Sequence, residues 1–315
     1  MLVGMAGIAA SLPVLAQGKP AKVGILVARP LAESNYVPAI LRRLEELGYR
    51  DGESMTLVGR STDGISERYP VLARELLEQN CDVVISLGIL AARALRSAGS
   101  AIPVVFLATE GDPVKAGLVS DLRRPDGNNT GVYIPQEAMV AKRMEILREA
   151  VPVRRALVLA DQLDKHLLQQ ARSSAELLKL QLTITEFSRA PYDYQGAFDA
   201  ARKASVQALI MLGSGVFSTD RRVIGALLTT HRLPSIGLSV QQAEAGFLLS
   251  FSANHVKAAR RVAELAVQVL KGSKPADIPV EQADEFELLI NGKTAKSLGI
   301  SMPQSILARA TRIVS

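Results

Sequence analysis

Short apolar strands alternate with helical stretches twice along this chain, and that alternation restricts the fold more than any other feature of the sequence. Residues 22–28, 56–59 and 82–87 read as strands rich in Val, Ile and Leu. Between them, Ile40, Leu41, Leu44 and Leu47 fall at helical spacing ahead of Gly48, and Leu72, Leu76 and Leu77 repeat the pattern. Consecutive β-α-β units predict an α/β fold with a parallel sheet and right-handed crossovers. Residues 103–108 form a further strand that stops at the turn Glu110-Gly111-Asp112-Pro113. Open parallel sheets hold ligands in turns of this kind, beyond the carboxyl ends of their strands.

The second half repeats the plan. Residues 156–161, 208–213 and 234–239 correspond to the strands at 22–28, 82–87 and 103–108, at similar offsets though with different residues. A repeat of domain size predicts two similar α/β lobes whose strand ends face each other across a cleft. A length of 315 residues suits two such domains. Extended segments at 130–135, 248–252 and 287–291 read as three crossings between the halves, and three crossings imply a hinge that closes on a ligand. The expected division is a removable segment and start of the mature chain at 1–19, one lobe from 20–131 with 251–283, and another from 132–250 with 284–315.

Residues 1–16 form an apolar run, and Val14-Leu15-Ala16 before Gln17 has the small-residue spacing of a signal-peptidase site. The basic n-region of a secretory signal is missing from it. Export and removal of the run are expected.

Composition narrows the function. The net charge is +6, but Arg42-Arg43, Arg123-Arg124, Arg154-Arg155, Arg221-Arg222 and Arg260-Arg261 are scattered pairs, and there is no Trp. A nucleic-acid face needs a contiguous basic stripe with stacking aromatics, so no nucleic-acid partner is expected. Cys81 is the lone cysteine, which excludes an internal disulfide, a cysteine zinc cage and a two-thiol racemase. His166, His231 and His255 are too widely spaced for a local metal pair. The sequence lacks Gly-x-Ser-x-Gly, a Walker pattern and Gly-x-Gly-x-x-Gly after a strand. No catalytic constellation emerges, and no metal or cofactor is called for.

Two local features suit a ligand. The helix at 89–95 starts directly at a strand end after Gly88, and its free N–H groups suit a carboxylate or phosphate. Glu110 and Asp112 offer carboxylates on the neighbouring turn, where an Asp equally serves its own backbone. Gly213-Ser214-Gly215 is the nearest Gly-rich turn in the second half.

Residues 106–119, 128–132, 270–281 and 289–303 carry a resemblance. With the patterns Lys-Pro-Ala-Asp-Ile-Pro-Val and Asn-x-Lys-Thr-Ala-x-x-Leu-Gly-Ile, they resemble a family of bacterial ABC-transporter substrate-binding proteins. This is the uncharacterised ABC transport system periplasmic component group, which includes a tryptophan/tyrosine-type branch. The resemblance implies a type I periplasmic-binding-protein fold, with two Rossmann-like lobes joined by three hinge strands. It also implies ligand contacts from the loop after the first strand, here Arg29 and Leu31, from the helix start Gly88, Ile89 and Leu90, and from the turn Glu110, Gly111 and Asp112. In the second lobe Asp161, Gly213, Ser214, Gly215 and Ser239 occupy the matching strand ends, and Phe251 stands on the second crossing. Ile89 departs from the pattern, since family members often carry a hydroxyl residue there.

The expectation is an exported periplasmic monomer that binds a small polar, amino-acid-like molecule and delivers it to an ABC permease in the inner membrane. Asp112 or Glu110 would meet an ammonium, and the helix opening at Gly88 a carboxylate. Asp112→Ala would then weaken binding beyond its effect on folding. Alternatives are a sensory module for a membrane receptor and, third, an enzyme. Aromatics at 4% disfavour a sugar stacked between rings.

Overall fold

The computed structural model describes residues 19–99, 101–161, 165–189, 191–213 and 215–314. The apolar run at 1–16 and Ser214 lie outside the described residues. The chain opens with β1 (Ala21–Val27), α1 (Val37–Glu46), β2 (Met55–Ser61), α2 (Tyr69–Glu78), β3 (Val83–Leu87), α3 (Ile89–Ser97), β4 (Val104–Ala108) and β5 (Asn129–Tyr133). It continues through α4 (Gln136–Ala150), β6 (Arg155–Asp161), α5 (Lys165–Leu177), β7 (Gln181–Phe187), α6 (Tyr194–Lys203) and β8 (Ala208–Met211). Next come α7 (Gly215–Thr219), α8 (Arg221–Thr230), β9 (Ser235–Gly237), α9 (Val240–Glu244), β10 (Leu249–Ala253) and α10 (His255–Leu270). The last elements are β11 (Glu281–Gln282), β12 (Phe286–Asn291), α11 (Gly292–Leu298), α12 (Gln304–Arg309) and β13 (Arg312–Val314).

These strands form two sheets. The first runs β11-β5-β4-β3-β1-β2 and is parallel throughout. The second runs β13-β12-β10-β9-β8-β6-β7, with one antiparallel pair, β10 with β12. The stretch β2-β1-β3-β4-β5 and the stretch β7-β6-β8-β9-β10 have the same order. The sequence repeat is therefore a structural duplication, and each lobe has its switch point where the chain turns back past its first strand.

Helices on both faces explain why the inner strands carry continuous apolar runs. All five positions of β3 and of β4 are buried. Val83, Ile85 and Leu87 face a cluster with Ile40 and Leu44 of α1 and Val262 and Ala266 of α10. Val84 faces the opposite cluster, with Leu72 and Leu76 of α2 and Leu95 of α3. The second sheet repeats this division. Ala156, Val158 and Ala160 face α4 and α5, while Leu157 and Leu159 face α6 and α8. Each fully buried Leu or Ile contributes about 1.5–3 kcal/mol.

The chain changes lobe three times. The segments read as crossings prove to be strands within the sheets, and each change of lobe falls at a strand's end. After β5 the chain enters α4, which packs on the second sheet. After β10 it enters α10, which covers the first. The third passage runs through residues 283–285 between β11 and β12. At the junction, Phe251 stacks on Phe286 with ring centroids 5.6 Å apart and packs against the cores of both lobes. Among the described residues, no helix is long and apolar enough to cross a membrane.

Candidate functional site

The carboxyl ends of the strands frame a cavity of about 730 Å³. The first lobe contributes Arg29, Glu33 and Tyr36 beyond β1, Gly88 beyond β3, and Thr109 and Glu110 beyond β4. The second lobe contributes Arg143 of α4, Ser218, Arg221, Ser239, Ser252 of β10 and Glu287 of β12, and His255 adds to them where the chain passes back to the first lobe. Cations and carboxylates therefore both face the space.

The start of α3 is already occupied. Glu110 Oε2 accepts a hydrogen bond from the Ile89 N–H at 3.0 Å. Gly88 sits at a φ of +101°, and a Cβ there would come within 2.7 Å of Glu110 Oε1. The free N–H expected to receive a ligand carboxylate thus holds a carboxylate from the protein's own chain, as the helix N-terminal dipole favours. Glu110 is fixed at the cavity edge as a result.

The wall between the lobes comes from α1, α4 and α10. Tyr36 precedes α1, and its hydroxyl lies 3.1 Å from Nδ1 of His255, the first residue of α10. Burial first, and the Glu110 charge second, push the Tyr36 phenol far above its ordinary pKa. Burial, and then the Arg143 charge, lower the pKa of His255 below the usual histidine value. Arg143 is itself 1% exposed. Its Nε donates to the Phe251 carbonyl at 2.9 Å, while its Nη1 has no hydrogen-bond partner. Burial pulls its pKa down, as it does for a cation removed from water.

A depressed histidine has a defined effect on stability. The unfolded chain takes up a proton near pH 6.5 that the folded chain resists, so this contribution is full above that pH and is lost as pH falls. His255→Gln keeps a partner for the Tyr36 hydroxyl and removes the titration. Between pH 7.5 and 5.5, the urea midpoint of the natural chain is expected to fall further than that of the variant. Equal falls in the two proteins would show that His255 does not contribute.

On the second lobe, Ser239 caps α9, its Oγ accepting from the Gln242 N–H at 3.3 Å, and its residue lines the cavity. Arg221 donates from Nη1 to the Ser218 carbonyl at 2.8 Å, and both residues line the cavity.

Of the residues expected from the sequence, the structure brings Arg29, Gly88, Glu110 and Ser239 together around the cavity. Leu31 is instead packed into the first-lobe core, where a Cβ on Gly59 would meet its Cδ2 at 2.5 Å. Ile89 packs against the cluster around Phe106, and Leu90 is 49% exposed. Asp112 turns back on its own loop, Oδ1 accepting from the Val114 N–H at 2.7 Å and the Lys115 N–H at 3.3 Å. Gly111 stands between these two acids with Ile89 Cδ1 at 4.0 Å from a built Cβ. Asp161 is buried and accepts from the Tyr192 hydroxyl at 2.6 Å. A Cβ on Gly213 would lie 3.5 Å from Leu167 Cδ1, and Gly215 opens α7. Phe251 belongs to the junction between the lobes.

Tyr36, Arg143, Arg221, His255 and Glu287 line the cavity without having been singled out as ligand residues. Arg143 alone left a clear signal, because it falls on the buried stripe of α4 with Met139, Val140, Met144 and Leu147. A charge on an apolar stripe needs a reason to be there.

Known proteins place this arrangement in context. The model of the family described as ABC transporter substrate binding protein matches residues 25–314. A tyrosine-binding protein of Clostridioides difficile is 23% identical over 271 residues, which is 82% of this chain and 74% of that protein. Among solved structures, a conserved domain protein from Vibrio cholerae superposes with a TM-score of 0.81 at 25% identity, covering 94% of this chain and 100% of its own. An ABC domain from Streptococcus pneumoniae in complex with L-Trp superposes with a TM-score of 0.80 at 25% identity, with the same coverage of 94% and 100%.

Proposed function

The chain belongs to the ABC transporter substrate-binding protein family, and from that premise we propose that it captures a small polar, amino-acid-like solute between its lobes and delivers it to an ABC permease in the inner membrane. Its architecture is the type I periplasmic-binding-protein fold, with two α/β lobes joined by three passages. The observation that carries the proposal is the cavity, to which both lobes contribute charged side chains of opposite sign: Arg29 and Glu110 from one side, Arg221 and Glu287 from the other. A volume of about 730 Å³ falls within the range of roughly 300–1,000 Å³ typical of small-molecule sites. A tyrosine-binding relative and a relative solved with L-Trp support an amino-acid-like ligand.

In this reading Arg29, Glu110 and Ser239 contact the solute, and rotation about the three passages brings Arg221 onto it. The protein works as a monomer in the periplasm, after removal of the apolar run at 1–16. Native mass spectrometry of protein purified without unfolding tests the proposal. One small molecule per chain, released when the chain is unfolded, is expected. No bound molecule, together with no thermal shift from any proteinogenic L-amino acid, would contradict it.

A further inference from the structure

Asn254 stands where the second lobe returns the chain to the first, and its side chain is bonded to both. It follows β10 and caps α10. The ladder between β10 and β12 ends at Ala253 and Phe286, and the Asn254 N–H extends it by one bond, 2.8 Å to the Glu285 carbonyl. The backbone of Asn254 therefore continues the second sheet, while the helix it opens covers the first. Its Oδ1 accepts from the Lys257 N–H in the first turn of α10 at 2.9 Å, and its Nδ2 donates to Glu287 Oε1 on β12 at 2.9 Å. A backbone N–H can bond only to the amide oxygen and a carboxylate only to the amide nitrogen, so the partners fix which end is which.

One planar group thus spans the second passage, with an atom on each lobe. The amide turns only about χ1 and χ2, so lobes rotating about the passages cannot keep both bonds well aligned. Neighbouring contacts constrain the angle less. The Phe251–Phe286 stack is apolar, and apolar attraction is non-directional. Lys257 and Glu285 form an ion pair alongside, but both side chains are more than half exposed, and exposed pairs contribute little. Asn254 also lines two spaces, the cavity between the lobes and a second one of about 410 Å³ bounded by Lys257, Arg261, Glu281 and Glu285. Space beside the amide in both leaves room for movement, so its bonds rather than close packing hold the angle.

We propose that Asn254 is a positioning residue for solute capture: its amide sets the angle between the lobes at rest by tying α10 to Glu287, a carboxylate that lines the cavity. This rests on the reading of the three passages as a hinge. Because the bond ends on a cavity wall, a solute that draws on the Glu287 carboxylate acts on the hinge directly.

Nitroxide labels on Ile65→Cys and Val223→Cys, exposed positions on the first and second lobes, read the lobe separation in protein stripped of solute, in a Cys81→Ser background. Asn254→Asp and Asn254→Ser both keep an oxygen that caps α10 and lose the donor to Glu287. Each is expected to broaden the distance distribution, the Asp variant more because it sets a second carboxylate against Glu287. Asn254→Ser carries the test alone if that like charge prevents folding. Adding Glu287→Gln to Asn254→Asp places a donor opposite the new carboxylate and re-forms the bond with its polarity exchanged, so the double variant is expected to return to the natural width. A residue that only caps its helix predicts no broadening in either single variant. Unchanged width in both overturns the proposal, and so does a double variant as broad as Asn254→Asp. Either result leaves solute capture standing. That reading falls separately, if the natural chain at full occupancy shows no shift to shorter distances.

Discussion

Glu110→Ala is expected to weaken solute capture by roughly tenfold to a hundredfold, the value of a hydrogen bond to a charged group, and to loosen the start of α3 as well. Two contacts explain the double effect. Glu110 Oε2 holds the Ile89 N–H at 3.0 Å, so its loss leaves a helix-terminal donor uncapped and costs about 1 kcal/mol. The same carboxylate lines the cavity and raises the pKa of the Tyr36 phenol, so its field reaches the wall where the solute would lie. Glu110→Gln separates the two roles. It keeps an oxygen for the Ile89 N–H and drops the charge, so stability should remain near the natural value while affinity falls. Calorimetry and urea denaturation on both variants read the two effects independently. A Gln variant that binds like the natural chain would reduce Glu110 to a helix cap.

Gly131→Ala is expected to destabilise the fold by about 3 kcal/mol or more, at the upper end of overpacking costs. Gly131 sits in β5 opposite Phe106 of β4. A Cβ there would lie 2.1 Å from the Phe106 carbonyl oxygen and 2.7 and 2.8 Å from two of its ring carbons. The oxygen is backbone, so no rotamer change removes the clash, and the two strands would have to part immediately before the first passage between lobes. A drop in Tm of several degrees follows for a chain of this size. Gly111→Ala provides the comparison, since its nearest neighbour would be Ile89 Cδ1 at 4.0 Å, and a change within about 0.5 kcal/mol is expected. Similar losses in the two variants would contradict the steric account.

The parts of the fold that were legible in the sequence are those whose physics is local. Val83 to Leu87 and Val104 to Ala108 are buried at every position, and continuous apolar runs of that length announce inner parallel strands. Three of the four sheet edges were silent, while β2 was read at 56–59. β7 is half-buried along most of its length, β11 has 2 residues and β13 has 3, so none carries a strong pattern. Within the site, Gly88 and Glu110 could be found because strand ends and the residues after them are local features. Which acid faces the cavity could not, because the shorter Asp112 side chain closes on the N–H groups of Val114 and Lys115, a choice set by turn geometry. Tyr36, Arg143 and His255 meet only after the chain has passed between the lobes twice, and spacing along the sequence holds no record of that meeting.

The central claim is that the two lobes close on a solute, and the distance between them tests it most directly. Ile65 and Val223 are 52% and 53% exposed, the first beside α2 and the second on α8. Spin labels at these two positions, in a Cys81→Ser background, report the separation of the lobes. The account predicts that adding back the solute released from the native protein to stripped protein shifts the distance distribution to shorter values, saturating at one solute per chain. An unchanged distribution at full occupancy would contradict it.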